Sequence, residues 1–290
     1  MCASCPAPTF LPQRTPPVPT VSAHRHHRHA PLHSGVVMKL AVITPALLLT
    51  ALPLVAQSPL SQWPQQSEDR PRPTIVEPGA PYTIAPPADA IVLFNGAGLD
   101  RWMSAGGAPA KWRVENGAFV AVPGSGTLST RDSFGDVQLH IEWSAPNPPV
   151  GKGQDRGNSG VFFGGERYEI QVLDSRDNVT YADGQAGSIY GQFPPLVNPA
   201  RKAGEWQVYD IVYRRPRFKP DGSLQSAARF TVFFNGVLVQ DNMEPVGPTT
   251  YMKRTPYSAH ADRLPITLQD HGHPVRFRNV WLRDLEKSAP

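Results

Sequence analysis

The chain has 290 residues, with 28 Lys and Arg against 24 Asp and Glu and a formal net charge of +4. Four of the basic residues and none of the acidic ones lie in residues 1–56, so the rest is formally neutral and its charge gives no support for binding nucleic acid. Both cysteines, Cys2 and Cys5, also lie there, which excludes disulfides and cysteine chemistry from residues 57–290.

The N-terminal segment has two parts. Residues 1–37 are rich in Pro, His and Arg without apolar periodicity, so we expect them to be disordered or to precede the true start at Met38. A lysine, an apolar run and a small residue then follow, as in a secretory signal peptide over residues 38–56. The run is short and interrupted by prolines, unlike a transmembrane helix. We therefore expect a periplasmic or secreted protein with no membrane anchor after signal cleavage.

Residues 57–88 are rich in Pro, Gln and Ser and are expected to form a linker or an arm lying on the domain. The domain itself is predicted over residues 89–287. It opens with a strand at 91–94, and a hairpin at 112–120 turns at Asn116-Gly117, a pair suited to a type I′ turn. The other predicted strands are 128–130, 137–143, 158–163, 168–174, 206–214, 228–234, 237–240, 265–271 and 275–285.

No segment has the pattern of a convincing helix. Many short strands separated by Gly, Pro and Asn turns indicate an all-β fold, a β-sandwich or barrel, and the absence of internal repeats argues against a propeller. Two long connections, 175–205 and 241–264, interrupt the strands. A loop as long as 175–205 in a compact domain is usually functional or mobile.

The segment 158–174 is predicted to be a hairpin that the rest of the domain supports. It reads as strand, Gly164-Gly165 turn and strand, with apolar residues at alternate positions facing the core. Glu169 and Gln171 then share the opposite face. A carboxylate and an amide side by side on a rigid strand would suit a catalytic or sugar-binding floor, although a solvated sheet face would also carry polar residues.

Other strands repeat this pattern, and we expect their outward polar side chains to form one hydrogen-bonding surface for a carbohydrate. Loop aromatics such as Trp206, Tyr190 or Tyr257 could stack on a sugar ring. The alternative is that several of the polar residues pair as surface ions. The outward-facing set is His140, Glu142, Glu169, Gln171, Gln269, His271, Arg276 and Arg278.

Metal sites are weakly indicated. There is no zinc-binding His or Cys motif and no ordered Ser/His/Asp set. The run Asp270-His271-Gly272-His273 could ligate a cation, and the loop residues Asp174, Asp183 and Asp262 could hold calcium, but no spacing fixes either site.

An ordered set of motifs resembles the 3-keto-disaccharide hydrolase domain family over about residues 90–286. The resemblance implies a concanavalin A-like jelly-roll β-sandwich of two antiparallel sheets, with lyase or hydratase activity on 3-keto-glycosides. The motifs are Leu93-Phe94-Asn95-Gly96 with Leu99 and Trp102, Phe134-Gly135-Asp136, Glu142-Trp143, Asn158-Ser159-Gly160-Val161, Glu169-Ile170-Gln171-Val172-Leu173-Asp174, Gly187-Ser188-Ile189-Tyr190-Gly191, Gly204-Glu205-Trp206-Gln207, Asn235-Gly236-Val237, Leu268-Gln269-Asp270-His271-Gly272 and Val275-Arg276-Phe277-Arg278-Asn279-Val280-Trp281.

The segment 169–174 is also similar to the Glu-x-Asp-x-x-Glu strand of retaining endoglucanases that share this fold. It departs from that pattern at Gln171 and Asp174, where the endoglucanases have Asp and Glu. A conventional retaining glycosidase, which needs two carboxyl groups about 5–5.5 Å apart, therefore remains one alternative. A carbohydrate-binding module without catalysis is the other.

For the 3-keto-glycoside function, one base would remove the C2 proton made acidic by the C3 ketone, and hydrogen-bond donors would hold the enolate oxygen. Glu169 or Glu142 is the expected base, with His271 as a further candidate. No cofactor is certain, although a divalent cation could polarise the ketone. The expected substrate-binding residues are Asn158, Gln171, Gln269, Arg276, Arg278, Trp206 and Tyr190.

Overall fold

A computed structural model describes residues 62–286, and this part of the chain is almost entirely β-structure. Its helical elements are two three-residue 3-10 turns, at Ala105–Gly107 and Ala182–Gly184. The predicted signal peptide at 38–56 lies outside the described residues. Within 62–286, no helix is long and apolar enough to span a membrane.

Fifteen strands follow one another along the described chain. In order they are β1 Ile91–Phe94, β2 Trp102–Met103, β3 Arg113–Glu115, β4 Ala118–Val120, β5 Leu128–Thr130, β6 Val137–Ser144, β7 Ser159–Phe163, β8 Tyr168–Val172, β9 Gln207–Arg214, β10 Arg217–Phe218, β11 Leu224–Ser226, β12 Arg229–Phe234, β13 Val237–Met243, β14 Thr267–Leu268 and β15 Arg276–Asp284.

The strands form two principal antiparallel sheets. The larger has the order β13-β12-β9-β6-β15-β4-β3, with β1 also paired to β15. The smaller has the order β2-β5-β14-β7-β8, and β10 and β11 form a separate two-stranded hairpin. Neighbouring strands are often far apart in sequence, as in a jelly roll. The predicted all-β sandwich of two antiparallel sheets is confirmed.

The core lies between the inner faces of the two sheets. Phe163 on β7 packs against Tyr213 on β9 and Phe230 on β12, with ring centroids 4.8 and 5.4 Å apart. The Tyr209 hydroxyl on β9 also donates to the Gln171 carbonyl on β8 over 2.7 Å. Because side chains alternate along a strand, the polar residues between these core positions lie on the two outer faces.

The predicted hairpins are present. Asn116 and Asn235 have φ of 50° and 51°, and each is followed by a glycine of positive φ, as a type I′ turn requires. The strand predicted over 265–271 is shorter than expected, since only Thr267–Leu268 is a regular strand. The hairpin β10–β11 was not predicted, because its residues are half-buried or exposed and show no apolar alternation.

A segment preceding the first strand, residues 62–84, lies against the domain and is called the arm below. Arg70 donates to the Gln192 carbonyl over 3.2 Å, and Val76 donates to the Asn198 carbonyl over 3.0 Å. Further along, the Thr83 hydroxyl donates to Glu142 on β6. The arm is thus fixed at several points along the described domain by specific hydrogen bonds.

Candidate active site

A cavity of about 260 Å³ opens on the outer face of the smaller sheet. Its floor comes from β7, β8 and the segment after β14, and its walls come from the two long loops 175–205 and 241–264. The residues that line it are Asn158, Phe162, Glu169, Gln171, Tyr190, Thr249, Tyr251, Gln269 and His271. Six of these were predicted from sequence, namely Asn158, Glu169, Gln171, Tyr190, Gln269 and His271.

The hairpin β7–β8 sets the floor of the cavity. Glu169 and Gln171 alternate with the core residue Ile170, so both side chains point to the outer face, as predicted. Phe162 pairs with Glu169 across the hairpin and shares that face. Phe162 was missed from the candidate site, although the alternation of its strand could have identified it.

Gly160 leaves the space that the Glu169 carboxyl group occupies. A Cβ atom at Gly160 would lie 2.5 Å from Glu169 Oε1 and 2.8 Å from Phe162 Cε2. Real Cβ atoms essentially never approach other heavy atoms this closely. The position therefore needs glycine for close approach of a side chain rather than for turn geometry.

The carboxyl group of Glu169 is almost completely buried. Its residue is 4% exposed, and burial raises the pKa of Glu169 to about 8. Among the described residues, no lysine or arginine lines the cavity to stabilise its charge. A carboxyl group in this state holds its proton more tightly than usual and is a correspondingly stronger base once ionised.

The Gln171 amide is the immediate neighbour of that carboxyl group. In one amide orientation, its nitrogen donates to Gln154 Oε1 over 2.9 Å and to Asn158 Oδ1 over 3.3 Å. In the other orientation, its nitrogen donates to Glu169 Oε1 over 3.0 Å and to the Ser159 carbonyl over 3.0 Å. The first orientation turns the amide oxygen toward Glu169 and suits a protonated carboxyl group, whereas the second suits the carboxylate.

The walls of the cavity come from loops. Tyr190 is fixed by hydrogen bonds to the Tyr181 hydroxyl at 2.7 Å and from the Gln66 amide of the arm at 3.0 Å. Thr249 accepts from the Glu169 backbone amide over 3.2 Å, while Tyr251 is 76% exposed at the rim. Thr249 and Tyr251 were not predicted, because nothing local in an irregular loop indicates which strand it covers.

Two further polar groups complete the cavity. Gln269 is half-buried, and its side-chain oxygen is buried without a hydrogen-bond partner in the described structure. His271 is exposed on the loop that follows β14. Buried polar atoms are normally satisfied, so the lone Gln269 oxygen marks a position where a ligand hydroxyl group would gain a hydrogen bond.

The expectation of a single polar surface is wrong, because the predicted residues divide between the two outer faces. Strand β6 and strand β15 belong to the larger sheet, on the side of the sandwich away from the cavity. Alternation within a strand shows that a residue faces outward but not on which of two sheets. The residues placed there are His140, Glu142, Arg276, Arg278 and, on the adjoining loop, Trp206.

Glu142 is the centre of this second cluster. It is completely buried and accepts hydrogen bonds from Arg278 Nε at 2.7 Å and Asn279 Nδ2 at 2.9 Å, besides that from the Thr83 hydroxyl. Burial alone would raise the pKa of Glu142, but donated hydrogen bonds, including one from His140, outweigh it and lower the pKa to about 2. A carboxylate so fully satisfied is a weak base, covered by the arm.

The residues around Glu142 also contact one another. His140 lies 2.7 Å from Asp210 through Nδ1 and stacks on Trp281 at 4.9 Å. Burial favours a lower pKa for His140, yet its hydrogen bonds to Asp210 and Glu142 raise the pKa overall. Arg276 and Arg278 lie over the Trp206 ring, 5.1 and 4.1 Å from its centroid. These contacts describe a structural cluster rather than an open binding surface.

The loop aspartates considered as cation ligands have other partners. Asp174 accepts from Arg156 Nε over 2.7 Å, and Asp183 lies 3.8 Å from Arg70. Asp262 pairs with Arg215, and Asp270 accepts from the backbone amides of Gly126 and Gly272, both over 3.0 Å. Across residues 62–286, no group of three or more His, Asp or Glu side chains is arranged to hold a metal ion.

The chemistry available in the cavity follows from its single carboxyl group. Glu169 is the one carboxylate among the described lining residues, and amides, hydroxyls, aromatic rings and an imidazole surround it. Retaining and inverting glycosidases use two carboxyl groups across the scissile bond. Proton abstraction needs one positioned base with donors for the charge that develops, and this cavity provides both.

Comparisons with known proteins point in the same direction. The sequence matches the profile of the 3-keto-alpha-glucoside-1,2-lyase-like domain over residues 89–283. A 3-keto-disaccharide hydrolase from Bacteroides thetaiotaomicron is 24% identical over 243 residues, covering 69% of this chain and 81% of that protein.

Solved structures agree on the architecture. A Parabacteroides distasonis protein classed as a glycosyl hydrolase is 43% identical with a TM-score of 0.67, covering 74% of this chain and 92% of that one. A second protein so classed from the same organism is 21% identical with a TM-score of 0.50, covering 67% and 98%. The similarity to this second protein is evidence for the fold alone.

Proposed function

Because the chain belongs to the family of 3-keto-alpha-glucoside-1,2-lyase-like domains, we propose that it cleaves glycosides whose glucose unit carries a ketone at C3. Membership indicates a glycoside-cleaving enzyme acting on a carbohydrate. The 3-keto-disaccharide hydrolase among its relatives supports the choice of a keto-sugar substrate. We further propose that the enzyme removes the C2 proton and eliminates the C1 substituent. For net hydrolysis, water then adds to the product of elimination.

The observation that carries this mechanism is the environment of Glu169. It is the one carboxyl group on the described cavity wall, and burial raises the pKa of Glu169 to about 8. A base is most effective when its pKa lies near the working pH. Glu142, the other candidate, has a pKa lowered to about 2 by donated hydrogen bonds and lies on the opposite face. Glu169 is therefore the proposed base.

The proposed reaction begins when the Glu169 carboxylate takes the proton from C2. The electron pair of that C–H bond forms an enolate with the C3 ketone. The enolate then restores the ketone while a C1=C2 double bond forms, and the C1–O bond breaks with its electron pair leaving on the aglycone oxygen. Water can later add at C1 as a proton returns to C2, so the net result is hydrolysis.

Amide groups in the cavity would hold the sugar during these steps. Gln171 and Asn158 line the cavity with Glu169. Asn158 Nδ2 donates to the Gln154 carbonyl over 2.8 Å, and its second N–H would donate to the enolate oxygen, as oxyanion-stabilising groups do. Gln269 offers an unpartnered oxygen to a hydroxyl group. His271 also lines the cavity and would hydrogen-bond to the leaving oxygen. A divalent cation that polarises the ketone is compatible with these roles.

The decisive assay compares two chromogenic substrates. The purified protein is incubated with a nitrophenyl 3-keto-glucoside and with the unoxidised nitrophenyl glucoside, each with and without a chelator. Release of nitrophenol from the keto form alone supports elimination. Loss of that release in the presence of chelator would indicate that the reaction requires a divalent cation. Release from both compounds would instead favour a conventional glycosidase. Release from neither, with saturable sugar binding, would favour a binding module.

Two matched variants assign the base. Glu169→Gln keeps the side-chain shape but cannot accept the proton, so turnover should fall by about 10²–10⁴-fold. Glu142→Gln changes a buried glutamate on the other sheet and should retain turnover at temperatures where circular dichroism shows it folded. Near-normal turnover by Glu169→Gln, or a comparable loss in folded Glu142→Gln, would contradict the assignment.

We also propose export to the periplasm or beyond, on the signal-peptide pattern of residues 38–56 and the lack of cysteine in residues 57–290. Mass spectrometry of the protein made in a Gram-negative host should find a mature N-terminus at Gln57. An uncleaved protein in the cytoplasmic fraction would count against export.

A further inference from the structure

The first part of the arm contacts both of the long loops that wall the cavity. Gln65 Nε2 donates to the Thr250 carbonyl on one loop over 2.7 Å. The next residue, Gln66, donates through its Nε2 to the Tyr190 hydroxyl on the other loop over 3.0 Å. Two neighbouring arm residues are therefore bonded to both walls of the cavity, and the activity proposed above uses neither of them.

The backbone at Gln66 is held in one conformation. Its φ is 60°, in the left-handed region that residues other than glycine rarely adopt. Its N–H donates over 3.2 Å to Oδ2 of Asp183, a fully buried residue, and Arg70 of the arm lies 3.8 Å from the same oxygen. A residue persists in such a conformation only where its surroundings hold it. The direction of the Gln66 side chain toward Tyr190 is therefore built into the fold.

The loop that carries Tyr190 is shaped to receive the arm. Gly191 has a φ of 69°, and a Cβ atom there would overlap the Gln65 amide. The Gly191 N–H donates to the Asp183 carbonyl over 2.8 Å. Glycine is thus needed at this position both for the backbone conformation and for the close approach of the Gln65 side chain.

Tyr190 also lies next to the proposed base. Its backbone N–H donates to the Glu169 carbonyl over 3.2 Å, and the side chains of both residues line the cavity. An oxygen of a sugar held over Glu169 is therefore an acceptor that the Tyr190 hydroxyl would meet.

The hydrogen bonds at Tyr190 decide where its hydroxyl hydrogen points. A tyrosine hydroxyl can accept hydrogen bonds at its oxygen and can donate one. The Gln66 amide donates to this oxygen, and the Tyr181 hydroxyl lies 2.7 Å away as a donor or an acceptor. Tyr190 is among the residues that line the described cavity and Tyr181 is not, so a sugar oxygen bound there would accept from Tyr190 while Tyr181 donates to Tyr190. Burial raises the pKa of Tyr190, so its hydroxyl keeps this hydrogen at neutral pH.

We propose that Gln66 is a positioning residue of the active site. By donating to the Tyr190 oxygen, it leaves the Tyr190 hydrogen available to an oxygen of the sugar in the cavity. The inference rests on the proposed function, because it places that sugar over Glu169. Gln66 precedes residues 89–283, which the family profile matches, so the arm supplies a part of the site that lies outside the matched domain.

The first test reverses the hydrogen bond at position 66. Gln66→Glu keeps the side-chain shape but replaces the amide donor with a carboxylate, which accepts the Tyr190 hydrogen and withdraws it from the sugar. Loss of one hydrogen bond to the sugar should lower kcat/KM for the nitrophenyl 3-keto-glucoside by about tenfold. Gln62→Glu, the same change at an exposed arm position, is the matched control and should alter kcat/KM by less than about twofold. Equal kcat/KM in the two variants would contradict the proposal.

A double-mutant cycle shows whether position 66 acts through the tyrosine. Tyr190→Phe lacks the hydroxyl and should lose about as much kcat/KM as Gln66→Glu. In the Tyr190→Phe background, Gln66→Glu should then change kcat/KM by less than about twofold, because residues that act through one contact are not additive. An arm that only braces the loops would give losses that multiply, and this result would overturn the proposal.

A spectroscopic measurement keeps the inference separate from the chemistry. Tyrosine labelled with ¹³C at Cζ is incorporated, and the Tyr190 resonance is identified by its absence in Tyr190→Phe. Gln66→Glu should move that resonance downfield, because the hydroxyl then donates to a carboxylate, while Gln62→Glu should leave it in place.

This shift would support the positioning role even if the wild type cleaved no keto-sugar, a result that would count against the proposed function alone. A Tyr190 resonance unmoved in folded Gln66→Glu would reject the positioning role whatever the catalytic result.

Discussion

Two buried glutamates occupy outward-facing positions on the two sheets, Glu169 on β8 and Glu142 on β6. The two glutamates differ in the number of hydrogen-bond donors around their carboxyl groups. Glu142 receives hydrogen bonds from an arginine, an asparagine and a threonine, and its pKa falls to about 2. Glu169 lies beside the Gln171 amide, which can take either of two orientations. No lysine or arginine is among the described residues that line its cavity, so burial raises the pKa of Glu169 to about 8. The same side chain thus serves structure at one position and is suited to proton transfer at the other.

The raised pKa of Glu169 gives a pH dependence with a definite sign. The base acts only when ionised, so kcat/KM should rise about tenfold per pH unit below about pH 8 and level off above it. The measurement is kcat/KM for a 3-keto-glycoside between pH 5 and 9, with substrate stability checked at each pH. A rise that is complete by pH 5, as expected of an ordinary glutamate, would argue against the buried carboxylate as base.

At the scale of elements, the hairpin β7–β8 brings together the groups that the mechanism uses. Its register pairs Gly160 with Gln171 and Phe162 with Glu169. The hairpin could be predicted because apolar alternation and the Gly164-Gly165 turn both mark it. The cavity walls could not be predicted from the sequence, because Thr249 and Tyr251 come from a loop whose path depends on tertiary packing.

Gly160→Ala tests whether the hairpin positions the base. The added Cβ would meet Glu169 Oε1 at 2.5 Å, so the carboxyl group must move while the sheet can remain intact. A displacement of about 1 Å can cost on the order of 10²-fold in rate, and we expect a loss of that size in kcat with a normal circular dichroism spectrum.

Gly79→Ala is the control for that variant, because a Cβ there meets no atom within 4 Å. Its activity should equal that of the wild type. Unchanged kcat in Gly160→Ala would mean that the Glu169 carboxyl group does not need its present position.

At the scale of the whole molecule, the two sheets share one core and have different outer faces. One outer face carries the open cavity, and the other carries the cluster around Glu142 beneath the arm. Strand alternation correctly separated inward residues such as Ile170 from outward ones such as Glu169 and Glu142. It could not separate the two outer faces from each other, since that depends on strand order within the sheets, which only long-range pairing determines.

The shared core predicts where the sandwich is most sensitive. Phe163 is fully buried and contacts Tyr213 and Phe230 of the opposite sheet, so Phe163→Ala should lower the free energy of unfolding by about 3–5 kcal/mol. Urea denaturation measures the change. Phe233→Ala, at a 39% exposed position, should shift it by less than about 1 kcal/mol. Equal effects of the two substitutions would contradict the described packing between the sheets.

The claim that cleavage begins with loss of the C2 proton is tested most directly by following that hydrogen. A 3-keto-disaccharide deuterated at C2 is incubated in ordinary water with the wild type, and the label is followed by NMR and mass spectrometry as the leaving sugar appears. A parallel incubation without enzyme corrects for spontaneous exchange in the keto-sugar. Elimination predicts that deuterium enters the solvent in step with release of the leaving sugar, and that Glu169→Gln shows neither event. Release of the sugar with deuterium retained at C2 would contradict the account, because the glycosidic bond would then have broken without proton abstraction.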